Sequence, residues 1–162
     1  MENNPKDIIK IAKEVLEIEA QEILHASKNI STSFVNAVNL IINCSGRIVL
    51  SGMGKSGHIA RKIASTLAST GTPAFFMHPG EASHGDLGMI TKDDIVIVFS
   101  NSGQSAEVSS IIPNIKRIGA KIISICSNST SDLAVQSDIH ISSDVQQEAC
   151  TLGLAPTASS TV

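Results

Sequence analysis

Near the start of the chain, apolar residues recur every three to four positions: Ile8, Ile11, Ala12, Val15, Ile18 and Ile23, with charges between them. That spacing places them on one side of a helix over 6–24. A second helix is predicted over 31–43, where Phe34, Val35, Val38, Ile41 and Ile42 share a side and Ser45-Gly46 supplies the stop. Beyond residue 46 the pattern changes. Short β-branched runs at 47–50, 74–77, 95–99, 121–125 and, more weakly, 138–141 alternate with helical stretches at 58–69, 105–118 and 131–135. Such alternation marks βαβ units, so the expected architecture is an α/β fold with four or five parallel strands covered on both faces, preceded by two N-terminal helices. Pro113 interrupts the apolar series of the 105–118 stretch, and a kink is expected there, not two elements.

Composition narrows the class. At 162 residues, 42% of them hydrophobic, the chain is sized for one domain with its own core, and no repeat or linker divides it. Twelve Lys+Arg against fifteen Asp+Glu give a net charge of -3, and four Phe with no Trp or Tyr leave few rings for stacking bases. A nucleic-acid partner is therefore not expected. Cys44, Cys126 and Cys150 are odd in number, far apart and in no CxxC pair, which argues against disulfides and a thiolate zinc site and for cytoplasmic thiols. The first residues lack a secretory h-region, and no run approaches about 18 apolar residues, so a membrane span is not expected either.

In an open parallel sheet, ligands bind beyond the carboxyl ends of the strands. The first strand runs into Ser51-Gly52-Met53-Gly54-Lys55-Ser56-Gly57-His58, a Gly/Ser loop opening a helix. Backbone N–H groups, hydroxyls and a helix N-terminus together suit a phosphate. Gly52, Gly54 and Gly57 match G-x-G-x-x-G, but Met77-His78-Pro79 follows the second strand where a dinucleotide site wants an acid. The Walker pattern would need a glycine at Val49, inside a strand. The plainer reading is that these glycines only make a tight turn. After the third strand comes a second such loop, Ser100-Asn101-Ser102-Gly103-Gln104-Ser105-Ala106-Glu107, with Ser105 as expected N-cap and Glu107 in the first turn. Two loops on adjacent strand ends would form one phosphate cradle.

The segment 78–88 is polar, Gly-rich and long for its place, which points to His84 and Asp86 as actors. A metal site from His78, His84 and Asp86 follows no recognised spacing, so no metal is expected. His25 and His140 sit in ordinary helix and strand patterns. Glu148, just after the last strand, reads equally as a functional carboxylate or a solvated loop acid.

Taken together, SGMGKSGHIARKIASTLASTGTPAFFMHPGEASHGDLGM over 51–89, SNSGQSAE over 100–107 and QEACTLGLAPTASST over 147–161 resemble the sugar isomerase (SIS) family of phosphosugar-binding domains. Within it the likeness is greatest to members that interconvert D-ribulose 5-phosphate and D-arabinose 5-phosphate, feeding Kdo and lipopolysaccharide synthesis. The resemblance implies a three-layer αβα sandwich with a five-stranded, flavodoxin-like parallel sheet, no cofactor, and a homotetramer. It places the family's active-site groups on Lys55, His84, Glu107 and Glu148. Phosphosugar contacts fall on Ser51, Gly52, Gly54, Ser56, Ser100, Asn101, Ser102, Gly103 and Ser105. Family members usually continue into a long helix bearing another histidine, and often into CBS domains, and both are expected to be missing from a sequence ending at Val162. An isomerase needs a carboxylate base and a cation or donor for the developing enediolate, and Glu and Lys suit those tasks, though the two glutamates are not ranked. A non-catalytic phosphosugar sensor, or an isomerase of hexulose 6-phosphate or sedoheptulose 7-phosphate, would use the same cradle.

Overall fold

The structure is a computed structural model describing residues 5–162. The chain runs α1 (Pro5–Asn29), α2 (Thr32–Ile42), β1 (Ile48–Gly52), α3 (Gly54–Ser69), β2 (Ala74–Met77) and α4 (Pro79–Ala82). After a 3-10 turn at Asp86–Met89 come β3 (Ile95–Phe99), α5 (Ala106–Ile118), β4 (Lys121–Cys126), α6 (Asp132–Gln136), β5 (Ile139–Ser142) and α7 (Ala158–Thr161). These group into two compact units, residues 31–142 and residues 5–30 with 143–162.

The larger unit is built on a five-stranded parallel sheet in the order β2-β1-β3-β4-β5. β2 and β3 are apolar throughout and β1 and β4 mostly so, as expected of a sheet with both faces covered. Ile48, Leu50, Ile95, Ile97 and Ile123 face Ala37 of α2 with Ala60 and Ala64 of α3. Val49, Val96, Val98 and Ile122 face the other way, onto Val108, Ile111, Ile112 and Ile115 of α5 and Leu133 of α6. Helix layers thus lie on both sides of the sheet, as the fold class anticipates. Each fully buried Ile or Leu contributes on the order of 1.5–3 kcal/mol.

Asp94, only 2% exposed, ties the start of β3 to its neighbours. One carboxylate oxygen accepts the Arg47 N–H and the other the Thr91 N–H, both at 2.7 Å, and the Arg47 guanidinium stands 3.5 Å away. Burial alone would raise this carboxyl's pKa, but the hydrogen bonds from Thr91 and Arg47 outweigh it and hold the pKa below its ordinary value.

Several boundaries differ from the sequence expectation. β1 extends through Ser51 and Gly52, because the ladder continues opposite Met77 and Phe99. α3 begins at Gly54 and not at residue 58, which moves Lys55 and Ser56 out of a loop and into a first helical turn. The 78–88 connection, expected as irregular chain, carries α4 and the 3-10 turn. α5 is a single helix with Pro113 inside it.

In the smaller unit, α1 departs from the simple amphipathic picture. Ile8, Ile11 and Ile23 are about half exposed, while the one buried residue among its described side chains is Glu22. α7 packs on α1. No helix among the described residues is long and apolar enough to cross a membrane.

Candidate active site

The strand order reverses between β1 and β3. From β1 the chain passes through α3 to β2 on one side, and from β3 through α5 to β4 on the other. The crevice outside the carboxyl ends of these two strands is the topological switch point, where open α/β sheets bind ligands. Both Ser/Gly segments lie there, since Gly52 pairs with Phe99 at the ends of the two strands.

The first segment makes an abrupt strand-to-helix turn. Gly54 takes φ +53, and a Cβ on Gly57 would lie 2.5 Å from the Gly52 carbonyl oxygen. Only glycine at 57 lets the first turn of α3 sit down on the strand end. Lys55 is exposed, Ser56 is half-buried, and neither hydrogen bonds through its side chain among the described residues. Ser51 behaves differently from its neighbours. Its hydroxyl is fully buried and donates to the Met77 carbonyl at 2.8 Å. Its hydroxyl proton is thus engaged within the sheet.

In the second segment Ser100 is 5% exposed, and its Oγ lies 2.9 Å from Ser105 Oγ and accepts the Gly103 N–H at 3.2 Å. Ser105 holds the N-cap position of α5 but makes no side-chain cap, because its hydroxyl is turned to Ser100. The expected capping role of that side chain is thereby corrected. Met53, the N-cap of α3, cannot cap either. Two helix N-termini without side-chain caps thus open beside the same crevice, and such termini favour anions. Ser102 accepts the Gln104 N–H, and Asn101 is exposed. Glu107 stands exposed in the first turn of α5, with no side-chain hydrogen bond or ion pair among the described residues.

Two residues absent from the sequence reading shape this loop. The Asn101 carbonyl accepts both the backbone N–H of Ser127 (3.0 Å) and its hydroxyl (2.7 Å). Ser131, fully buried as the N-cap of α6, stands against Gly103, whose carbonyl accepts the Leu133 N–H. The signal was there: Ser127-Asn128-Ser129-Thr130 follows β4 as the other Ser/Asn segments follow β1 and β3.

His84 is exposed in the turn after α4, its backbone N–H bonded to the Glu81 carbonyl. Asp86 begins the 3-10 turn. His78 is spoken for, since its Nδ1 accepts the Gly80 N–H as the N-cap of α4. Among the described residues no three His, Cys, Asp or Glu side chains gather closely enough to hold a metal ion. His140, away from the crevice, lies 3.1 Å from Ser124 Oγ, and burial lowers its pKa.

Glu148 belongs to the smaller unit. Its Oε2 accepts the Thr157 N–H (2.6 Å), the Thr157 hydroxyl (2.7 Å) and the Ser159 N–H (3.4 Å). Burial pushes its pKa up, but the donors of Ser159 and Thr157 outweigh this and leave it below the usual carboxylate value.

Residues 41–162 match the profile of the SIS domain. The chain belongs to the SIS domain family. This SIS domain is 50% identical over 155 residues to an arabinose 5-phosphate isomerase of Salmonella typhi, covering 96% of this chain and 47% of that protein. It is likewise 50% identical over 156 residues to the arabinose 5-phosphate isomerase of Pseudomonas aeruginosa, again over 96% of this chain and 48% of that one. The chain spans about half the length of these curated relatives. Among solved structures, an E. coli CFT073 protein in complex with A5P superposes with a TM-score of 0.95 at 44% identity, covering 99% of this chain and 85% of that one.

Proposed function

We propose that this SIS domain interconverts D-ribulose 5-phosphate and D-arabinose 5-phosphate through an enediolate. The observation that carries the reading is the β1/β3 crevice, where two helix N-termini without side-chain caps meet Ser/Gly segments and each first turn carries an unpaired charge, Lys55 and Glu107. The phosphate sits on the N–H groups and hydroxyls around Ser56, Ser102 and Ser105, so binding energy is gathered away from the reacting carbons. Glu107, unpaired among the described residues, removes the proton from C2 of the aldose. Charge moves onto O1, where the Lys55 ammonium stabilises it. His84 carries a proton between O2 and O1, and the proton returned to C1 gives the ketose. Glu148, fixed by the Thr157 donors, is the further carboxylate of the reaction and orients a substrate hydroxyl. The names of the relatives and the A5P complex support the choice of pentose phosphate.

The same reading takes residues 1–162 as one phosphosugar-isomerase domain acting in the cytoplasm, where its three free thiols persist. It needs no cofactor for this proton transfer. It also takes the domain as a homotetramer, supported by Phe34, Val35, Val38 and Ile42, which α2 leaves exposed. The product would supply Kdo and lipopolysaccharide synthesis. The test is NMR of pentose, hexose and heptose phosphates incubated with the full chain. Interconversion of the pentose pair alone is expected. Turnover of only a longer sugar would overturn the substrate assignment, and binding without turnover would make the protein a sensor.

A further inference from the structure

We infer that Glu22 is a positioning residue for the isomerisation, acting through Glu148; this rests on the function proposed above. Glu22 is the one buried side chain among the described residues of α1, at 5% exposure, on a helix that leaves Ile8, Ile9, Ile11 and Ile23 exposed. A lone carboxylate in that place requires partners. It has two: Oε2 accepts the Gln146 N–H at 2.9 Å and Oε1 accepts the Gln147 N–H at 3.1 Å. Consecutive amides are thus clasped by both oxygens of one carboxylate, 124 and 125 residues away in sequence. Hydrogen bonds of this charge-assisted kind are among the stronger ones.

The clasp ends at the residue before Glu148. On the far side Thr157 takes over: its Oγ1 accepts the Ala149 N–H at 2.7 Å and donates to Glu148. The backbone from 146 to 149 is therefore held at both ends, and the carboxylate between them has its direction set. Glu22 touches no reacting atom in this scheme. It fixes where Glu148 points, and misplacement by about 1 Å is enough to cost up to about 100-fold in rate.

The experiment is a double-mutant cycle on the full chain. Glu22→Gln keeps the volume but replaces one acceptor oxygen by a donor facing an N–H. Expected are a fall in kcat of between about 10- and 100-fold, a KM within about twofold because the phosphate is held by other residues, and faster amide exchange at Gln146 and Gln147. In a Glu148→Gln background the same substitution should cost no further rate, since residues acting as one unit are not additive. Full multiplicative losses in the double variant, or unchanged kcat in Glu22→Gln, would overturn the inference. If Glu22→Gln does not fold, Glu22→Asp, which keeps the charge but reaches less far, goes through the same cycle. A wild-type chain that turns over no sugar phosphate defeats the proposed function. Amide exchange in the variant then decides the clasp by itself, with unchanged protection at Gln146 and Gln147 counting against it.

Discussion

Gly103 and Ser131 stand so close that a Cβ added to the glycine would lie 2.1 Å from the serine Oγ and 2.5 Å from its Cβ. The glycine also holds φ +66, which a side chain disfavours. Gly103→Ala must therefore displace the 100–105 segment from α6. Expected are a loss of about 1–3 kcal/mol in stability and a rise in KM for the sugar phosphate well beyond any change in kcat. Ser131→Ala will not rescue it, because the clash with the Cβ remains. Urea unfolding and steady-state kinetics on both variants check this.

Lys55 is exposed and has no hydrogen bond or ion pair among the described residues, so its ammonium is free to meet charge that develops on a substrate. Lys55→Ala is expected to lower kcat by about 100- to 1000-fold, the usual loss for one oxyanion-stabilising donor, with Tm hardly changed. A variant with wild-type turnover would remove the lysine from the chemistry.

The two glutamates should separate in deuterated water. Glu107→Gln is expected to abolish both turnover and incorporation of solvent deuterium alpha to the carbonyl, because it removes the carboxylate proposed as the base. Glu148→Gln should slow turnover without abolishing exchange. The reverse pattern, read by mass spectrometry of the product, would exchange their roles.

Asp94 carries a signature in acid. Its folded pKa lies below the unfolded value, so its contribution to stability is present above the unfolded pKa of about 3.9 and is lost as pH falls through the folded one. Asp94→Asn leaves one of the two N–H groups without its acceptor and should cost about 1–3 kcal/mol at neutral pH. The gap between wild type and variant should narrow below about pH 4, as chemical denaturation across that range would show.

The exposed apolar side of α2, with Ile42 at 73%, predicts self-association. Sedimentation velocity at micromolar concentration should give a species larger than the monomer. Phe34→Glu with Val38→Glu should return it to the monomer while leaving the far-UV spectrum intact.

The parallel strands were legible because a sheet covered on both faces writes itself as short continuous apolar runs, as in Ile95–Phe99. The two Ser/Gly segments were visible because hydroxyls and glycines are unusual directly after such runs. The end of β1 was not: Ser51 is polar, and nothing in the sequence announces that the Met77 carbonyl will satisfy it. The start of α3 was hidden for a related reason. Gly54-Lys55-Ser56-Gly57 has poor helix propensity, and only the close seat of Gly57 on Gly52 makes a helix favourable there. Glu22 escaped because the periodicity argument sends charges outward, whereas this one is turned inward to two amides. Ser131 escaped because its importance lies in what it touches across the fold.

The strand order also bears on how the molecule is put together as it is synthesised. β2 joins one edge of β1, β3 the other, then β4 joins β3 and β5 joins β4. Each newly made strand thus finds an open edge waiting, and none has to be wedged between two partners already paired. A nascent chain that has emerged only as far as α5 already possesses both strand ends and both helix starts of the crevice, with Lys55 and Glu107 in place. The part proposed to hold the phosphate is complete well before Glu148 has been made.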